Sequence, residues 1–106
     1  RRMRLPREEF SKFAGCRGRR DALPYFLIKA KRNTVGHNRF GIVVGSAVVR
    51  QSTRRNFLKR HIRNAVARWP ESKSDFLVIA RPAASAHPRD ALSYLAKLGY
   101  VFRDNQ

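Results

Sequence analysis

The spacing of apolar residues along the chain alternates between a period typical of helices and one typical of strands. Apolar residues recur at helical spacing in three segments, residues 6–14, 52–69 and 88–99. Aromatic and β-branched runs typical of strands lie between these segments, at residues 25–32, 40–44 and 75–80. The pattern therefore predicts the order α-β-β-α-β-α, a sheet with helices packed against it, and we assign a further short strand to residues 47–50.

The connections between the predicted elements indicate how the strands pair. Turn-forming residues 33–38 separate the first two strands, so we expect those strands to form a hairpin. The strand at residues 75–80 follows a helix, and a strand reached through a helix is expected to run parallel to an earlier one. In the middle helix, Ser52 or Thr53 is expected to cap the start, and Pro70 is expected to end it.

The charge balance points to a polyanionic partner. The 106 residues include 24 Lys and Arg against 7 Asp and Glu, a net charge of +17, and 42% of the residues are hydrophobic. A single domain of this size can form a small core, but an uncompensated positive charge of this size opposes compaction. Nucleic acid is therefore the first candidate partner, and an anionic membrane surface is the second.

Several other classes of protein are not supported. The longest apolar run, residues 40–49, is too short to span a bilayer, and residues 1–6 lack the apolar stretch of a secretion signal. The only cysteine, Cys16, cannot form an internal disulfide, so we expect a reducing compartment and a cytoplasmic location. The histidines and acids show no spacing typical of a metal or catalytic site, and we expect neither a membrane partner nor a small-molecule substrate.

The middle helix concentrates positive charge. Between Arg50 and Arg68 there are seven basic residues and no acidic one, whereas a surface helix usually mixes the two signs. Four side chains are expected on one face that points away from the core, and two more extend it at the first turn. The four side chains of this face are Asn56, Lys59, Arg60 and Arg63, and the two at the first turn are Arg54 and Arg55. Phosphate groups of RNA would relieve the repulsion on this face, and a merely solvated basic face is the simpler alternative.

Residues 55–63, which read RNFLKRHIR, are similar to the signature R-N-R-x-K-R-x-x-R of the bacterial ribonuclease P protein subunit. Residues 40–44 lie where that family has a strand reading R-x-G-x-x-V. Residues 75–81 resemble its strand that begins with Asp and ends with Ala-Arg, and residues 8–10 resemble its N-terminal Glu-Asp-Phe helix. Within the signature the chain departs at Phe57, which stands where the family has its second arginine.

The resemblance implies an α/β (α+β) two-layer sandwich. It would have a four-stranded mixed sheet and three helices in the order αβββαβα, with a left-handed crossover through the basic helix. Residues 1–106 would form a single RNA-binding domain that assists the catalytic RNA of ribonuclease P. That RNA, with the Mg²⁺ that it holds, would remove the 5′ leader of precursor tRNA, and the protein alone would be inactive.

The resemblance also implies that the protein holds the single-stranded leader, which needs a charged groove with apolar walls on which bases can stack. Candidate walls are Phe10 and Phe13 on the first helix with Phe26 and Ile28 on the facing strand, and the candidate rim is Lys12, Lys29 and Lys31. Aromatic residues at helical spacing are more often part of a core. The alternative functions are a basic ribosomal-type RNA-binding protein and a stand-alone basic nuclease.

Overall fold

The computed structural model describes residues 4–13, 15, 18 and 22–104. Its elements are a 3-10 helix (Arg7–Phe13), strands β1 (Phe26–Arg32), β2 (Arg39–Val43) and β3 (Ser74–Ala80), and helices α1 (Ser52–Val66), α2 (Pro82–Ala86) and α3 (Pro88–Asp104). The predicted order is confirmed apart from α2, which the apolar spacing does not predict. Ala14, Cys16 and most of the loop predicted at residues 17–21 lie outside the described residues.

Strand β3 lies in the middle of the sheet, between β1 and β2. It runs antiparallel to β1, with Phe26 opposite Ala80, and parallel to β2, with Arg39 opposite Asp75. The parallel pairing is therefore confirmed, whereas the hairpin predicted for the first two strands is wrong. Burial explains the difference, because β3 is a continuous apolar run and the central position covers both of its faces.

The fourth strand expected at residues 47–50 is not formed, and the sheet has three strands within the described ranges. Residues 46–48 form a turn instead, in which the amides of Val48 and Val49 both donate to the carbonyl of Gly45, at 3.0 and 3.2 Å. The α+β class is confirmed with one strand fewer and one helix more than expected. The hand of the crossover from β2 through α1 to β3 stays a prediction.

One face of the sheet carries the main core. Its buried sheet residues are Phe26, Ile28, Phe40, Ile42, Phe76, Val78 and Ala80. Helix α1 covers them with Leu58, Ile62 and Val66, which confirms the predicted apolar stripe. The indole N–H of Trp69 donates to the carbonyl of Leu95 at 2.9 Å and ties the chain after α1 to α3. The orientation of α1 is therefore set by its buried side.

The ends of α1 differ from the prediction. The residue before the helix is Gln51, whose side chain makes no capping hydrogen bond, so the expected cap by Ser52 or Thr53 is wrong. The helix ends at Val66, before Pro70, because the chain turns at residues 67–69 to bring Trp69 into the core. These changes leave the register of the basic side chains along α1 unaltered.

The opposite face of the sheet is only partly covered. Leu5 and Phe13 of the N-terminal segment pack on Leu77, and half-buried Val43 and Ile79 surround them. The first predicted helix is this short 3-10 helix, which starts with an i to i+3 bond from the amide of Glu9 to the carbonyl of Pro6 at 2.9 Å. Beyond this helix, Leu27, Lys29 and Lys31 of β1 are half-buried, and a side chain at position 18 would begin 2.7 Å from Cδ1 of Leu27.

Candidate nucleic-acid interface

A cleft of about 660 Å³ separates α1 from the N-terminal segment and from the edge strand β2. It is lined by Arg4, Leu5, Pro6, Arg7 and Phe10 on one side, by Phe40, Gly41 and Ile42 at its base, and by Asn56, Lys59, Arg60 and Arg63 on α1. We call it the basic cleft, because five of these residues are Arg or Lys and none is acidic. Its charge selects an anionic ligand.

The wall opposite α1 is attached to the sheet by its backbone. The amide of Leu5 donates to the carbonyl of Phe40 at 2.9 Å, and Arg4 pairs with Phe40 as an isolated parallel bridge. A side chain at position 41 would begin 2.6 Å from Cε1 of Phe10, so Gly41 lets the Phe10 ring lie directly against the strand. The shape of the cleft therefore depends on the close contact between the Phe10 ring and the backbone at Gly41, which a larger residue at position 41 would prevent.

The structure brings together four of the six predicted phosphate-binding residues. Asn56, Lys59, Arg60 and Arg63 all line the basic cleft. The other two, Arg54 and Arg55, do not, so the expectation that all six form one surface is wrong.

Arg55 and Arg54 leave the basic cleft for different reasons. Arg55 lies about 60° from Leu58 around the helix axis, beside the buried stripe, and its Nη1 donates to the carbonyls of Val49 and Arg50 at 3.0 and 2.7 Å. Arg54 faces a second groove on the other flank of α1. The helical period alone would have separated these two residues from the other four.

Arg63 is the most desolvated cation of the basic cleft. Its Nε is buried and has no hydrogen-bond partner within the described part of the chain. Burial lowers the pKa of Arg63, and the positive charge of Arg4 lowers it further. A buried donor that faces like charges is costly in the free protein, and an anion in the cleft would supply the missing acceptor.

Replacing Arg63 with Met is expected to raise the free energy of unfolding by about 1 kcal/mol, because it removes an unsatisfied buried donor and keeps a long apolar stem. Urea denaturation without RNA measures this change. The same variant should bind RNA less tightly. A less stable Arg63→Met protein would show that the guanidinium has a favourable structural role.

Three of the residues expected to wall a leader groove belong to the core. Phe26 and Ile28 are 0% exposed in the main core, and Phe13 is 1% exposed beneath the 3-10 helix. Their assignment to a groove wall is therefore wrong. Phe10 is half-buried in the basic cleft, and Lys12 lies on the surface, with its Nζ 3.1 Å from Oε2 of Glu9.

The residues that alternate with Phe26 and Ile28 lie on the other face of the sheet. Neighbouring residues of a strand point to opposite faces, so Leu27, Lys29 and Lys31 share the second face with Leu77 and Ile79. Lys31 confirms this placement, because its Nζ lies 5.7 Å from the centroid of the Phe13 ring. We call these five residues the second sheet face. The alternation of lysine with apolar residues along β1 is the signal that would have identified it.

An ion pair anchors one end of this face. Nε and Nη2 of Arg39 donate to the two carboxylate oxygens of Asp75, both at 2.8 Å, and Nδ2 of Asn33 donates to Oδ1 at 2.7 Å. Burial raises the pKa of Asp75, but the bonds from Arg39 and Asn33 and the charges of Arg39 and Lys31 outweigh it and hold that pKa below its ordinary value. The carboxylate is therefore ionised and fully engaged.

The structure offers no metal site in the part of the chain that it describes. There, no three His, Cys, Asp or Glu side chains come together in a way that could hold a metal ion. Within the same ranges, no helix combines the length and apolar character needed to cross a bilayer.

Known proteins resemble this chain over most of its length. The profile of the family described as Ribonuclease P matches residues 1–102. The ribonuclease P protein component of Aliivibrio fischeri is 33% identical over 86 residues, which cover 79% of this chain and 74% of that protein.

Solved structures agree with this match. The RNase P protein from Thermotoga maritima superimposes with a TM-score of 0.72 at 28% identity, covering 98% of this chain and 96% of the other. The Staphylococcus aureus RNase P protein, at 22% identity, shares the fold with a TM-score of 0.75 and covers 100% of this chain and 97% of its own.

Proposed function

Because this chain belongs to the ribonuclease P protein family, we propose that it is the RNA-binding subunit of a tRNA 5′-processing endoribonuclease and that its basic cleft binds the catalytic RNA. The observation that carries the proposal is the convergence of five cations and no acid on one cleft, with the buried Nε of Arg63 left without a partner. Family membership also decides against the ribosomal-type alternative. The whole chain then acts as one RNA-binding domain.

The basic cleft suits the phosphate backbone of a folded RNA. Arginine forks bind phosphate oxygens with two hydrogen bonds, and Arg60 and Arg63 present them from one wall while Arg4 and Arg7 present them from the other. Contacts of this kind position an RNA and carry little sequence information. Binding should therefore depend on the shape of the RNA and on salt more than on base identity.

The second sheet face suits the single-stranded 5′ leader of precursor tRNA. Lys29 and Lys31 supply charge along β1, and the half-buried Leu27 and Ile79, which are paired across the two strands, supply apolar surface next to Lys29. Of the acids on this side, Asp75 is paired with Arg39 and Glu9 is paired with Lys12, so neither presents an uncompensated negative charge to a phosphate. Charge interleaved with apolar surface is what a strand of unpaired nucleotides needs.

The described residues do not fit a protein-held Mg²⁺. Their acids are dispersed, and the buried one, Asp75, is fully engaged by Arg39 and Asn33. We therefore place the hydrolytic step, and the Mg²⁺ that it uses, with the catalytic RNA. The contribution of this chain is to hold the two RNAs together.

The test uses the purified protein with a bacterial ribonuclease P RNA and precursor tRNAs with and without a leader. The protein alone should cleave neither substrate. Added to the RNA, it should tighten the binding of the leader-containing precursor by about tenfold, because each of two lysine–phosphate contacts on a solvated surface is worth about 0.7 kcal/mol. The Kd of each precursor, measured at modest Mg²⁺, gives the result.

Variants separate the leader proposal from general electrostatics. Lys29→Ala with Lys31→Ala should abolish the leader-dependent gain, whereas Arg68→Ala with Lys97→Ala removes the same charge from exposed positions elsewhere and should keep it. Equal enhancement of both precursors would reject the second sheet face as the leader site. Cleavage by the protein after all RNA has been removed would instead support a protein nuclease.

A further inference from the structure

Phe57 is exposed on the surface of α1. Its side chain is 59% exposed, although it is a large aromatic residue. The ring packs edge-to-face against His61, with 4.6 Å between ring centroids and 88° between planes. The Phe57 ring therefore contacts a neighbour one turn away while much of it remains open to solvent. The basic signature that this chain resembles has an arginine at this position.

The ring borders a groove of about 440 Å³ between α1 and the start of α3. Leu58, Leu92 and Pro88 contribute apolar surface, and Arg54 and Arg89 add a cation from each helix. No acidic residue lines it. We call this the α1–α3 groove. It combines apolar surface with positive charge, and that combination excludes a cationic partner and suits one that is both flat and anionic.

The groove and the basic cleft lie on neighbouring sides of α1. Phe57 follows Asn56 of the cleft in sequence and lies about 60° from Arg60 around α1. An RNA whose phosphates occupy the cleft therefore passes the exposed ring where it follows the outer surface of the helix. A nucleobase offers the flat apolar face that stacks on an aromatic side chain, and every base has one.

We propose that the α1–α3 groove binds one unpaired base of the catalytic RNA, stacked on the Phe57 ring, with an adjoining phosphate held by Arg54 and Arg89. This assignment rests on the proposed function, because it takes RNA as the partner of α1. In this proposal, Phe57 stacks on a base at a position where an arginine would bind a phosphate. It also accounts for Arg54, which the basic cleft does not use.

Three substitutions at position 57 test the stacking contact in the full-length protein. Phe57→Ala should raise the Kd for the catalytic RNA by about tenfold. Phe57→Trp should preserve the affinity, whereas Phe57→Leu, which is apolar but has no ring, should lose most of what Phe57→Ala loses. Val35→Ala is the matched control, because Val35 is also exposed (45%) and lies in the turn between β1 and β2, away from both sites.

The salt dependence distinguishes a base contact from a phosphate contact. Phe57→Ala should leave the slope of log Kd against log salt unchanged, whereas Arg89→Ala should reduce it by about 0.7–0.9. Parent-like affinity of Phe57→Ala, or full affinity of Phe57→Leu, would overturn the stacking proposal. So would a loss of self-association in Phe57→Ala without a loss of RNA affinity, because the groove would then dock a second copy of the chain.

The proposed function fails separately from this inference. If the parent protein binds the catalytic RNA, and alanine at Lys59 and Arg60 weakens binding while Phe57→Ala does not, the basic cleft stands and the groove assignment falls. If the parent protein does not bind that RNA, both fall. Because Phe57 is exposed, its variants should keep the parent thermal midpoint, which a melting curve confirms before the binding measurements.

Discussion

Replacing Asp75 with Asn is expected to lower the free energy of unfolding by about 3–5 kcal/mol, because it leaves the guanidinium of Arg39 without its counter-charge. The carboxylate is 1% exposed and accepts three hydrogen bonds, two from Arg39 and one from Asn33. These bonds join the start of β2 and the turn after β1 to the start of β3. Urea denaturation measures the loss, with the parent and the variant fitted to the same dependence of the free energy of unfolding on urea concentration.

Two controls distinguish the buried pair from a general effect of charge. Asp90→Asn removes the same charge from an exposed position in the first turn of α3 and should cost less than 1 kcal/mol. A double variant, Arg39→Met with Asp75→Leu, removes both partners and should recover much of the stability lost by Asp75→Asn. A double variant as unstable as Asp75→Asn would show that the hydrogen bond from Asn33 matters more than the ion pair.

Acid provides a second measurement on the same variant. Because the pKa of Asp75 is lowered in the folded protein by Arg39 and Asn33 against the opposing effect of burial, the stability that its ionisation contributes is complete above the ordinary aspartate pKa of about 3.9. It is lost as the pH falls below that value through the lowered pKa. The difference in stability between the parent and Asp75→Asn should therefore shrink in acid, and a constant difference would contradict the ion-pair explanation.

Replacing both Lys59 and Arg60 with Ala is expected to weaken binding of the catalytic RNA by about 100-fold. Each residue presents one cation to the basic cleft, and a charge-assisted hydrogen bond to a phosphate is worth about 1.5 kcal/mol. The slope of log Kd against log salt should fall by about 1.4–1.8, which corresponds to two phosphate contacts. Filter binding or fluorescence anisotropy over a range of salt concentrations measures both quantities.

A control of equal net charge shows whether location matters. Arg81→Ala with Lys97→Ala also removes two positive charges, from exposed positions that line neither the basic cleft nor the α1–α3 groove. This variant should change the affinity by less than about threefold, through long-range attraction alone. Equal losses in the two double variants would mean that the RNA responds to total charge and that the cleft has no special role.

The sequence predicted most of the elements and the placement of four cleft residues on one side of α1, because both depend on local periodicity. The apolar stripe of Leu58, Ile62 and Val66 and the four cleft residues of α1 follow from one helical period. The strand order does not follow from local periodicity. The position of β3 between β1 and β2 depends on which of the three strands is most stabilised by burial of both its faces. The Arg39–Asp75 pair joins single charges on different strands, and no spacing within the chain indicates it.

The misplaced leader groove shows how a correct element can lead to a wrong site. Strand β1 was predicted to within one residue, and Phe26 and Ile28 are the residues whose chemistry suits a stacking wall. Large apolar side chains also suit the core, and Phe26 and Ile28, which alternate along the strand, are buried in it. The free side of β1 is then left with Leu27, Lys29 and Lys31. For a half-covered strand, the more polar alternation is the better guide to a binding surface.

The contact between residues 4–5 and Phe40 has a consequence for the behaviour of the chain in the cell. Strand β2 is an edge strand, and an unpaired edge is a template on which other polypeptides can add. By pairing with β2 at Phe40, the segment that places Arg4 in the basic cleft also covers part of that edge and limits strand addition by other chains. Removal of residues 4–5 is therefore expected to promote aggregation and to take away part of one wall of the basic cleft.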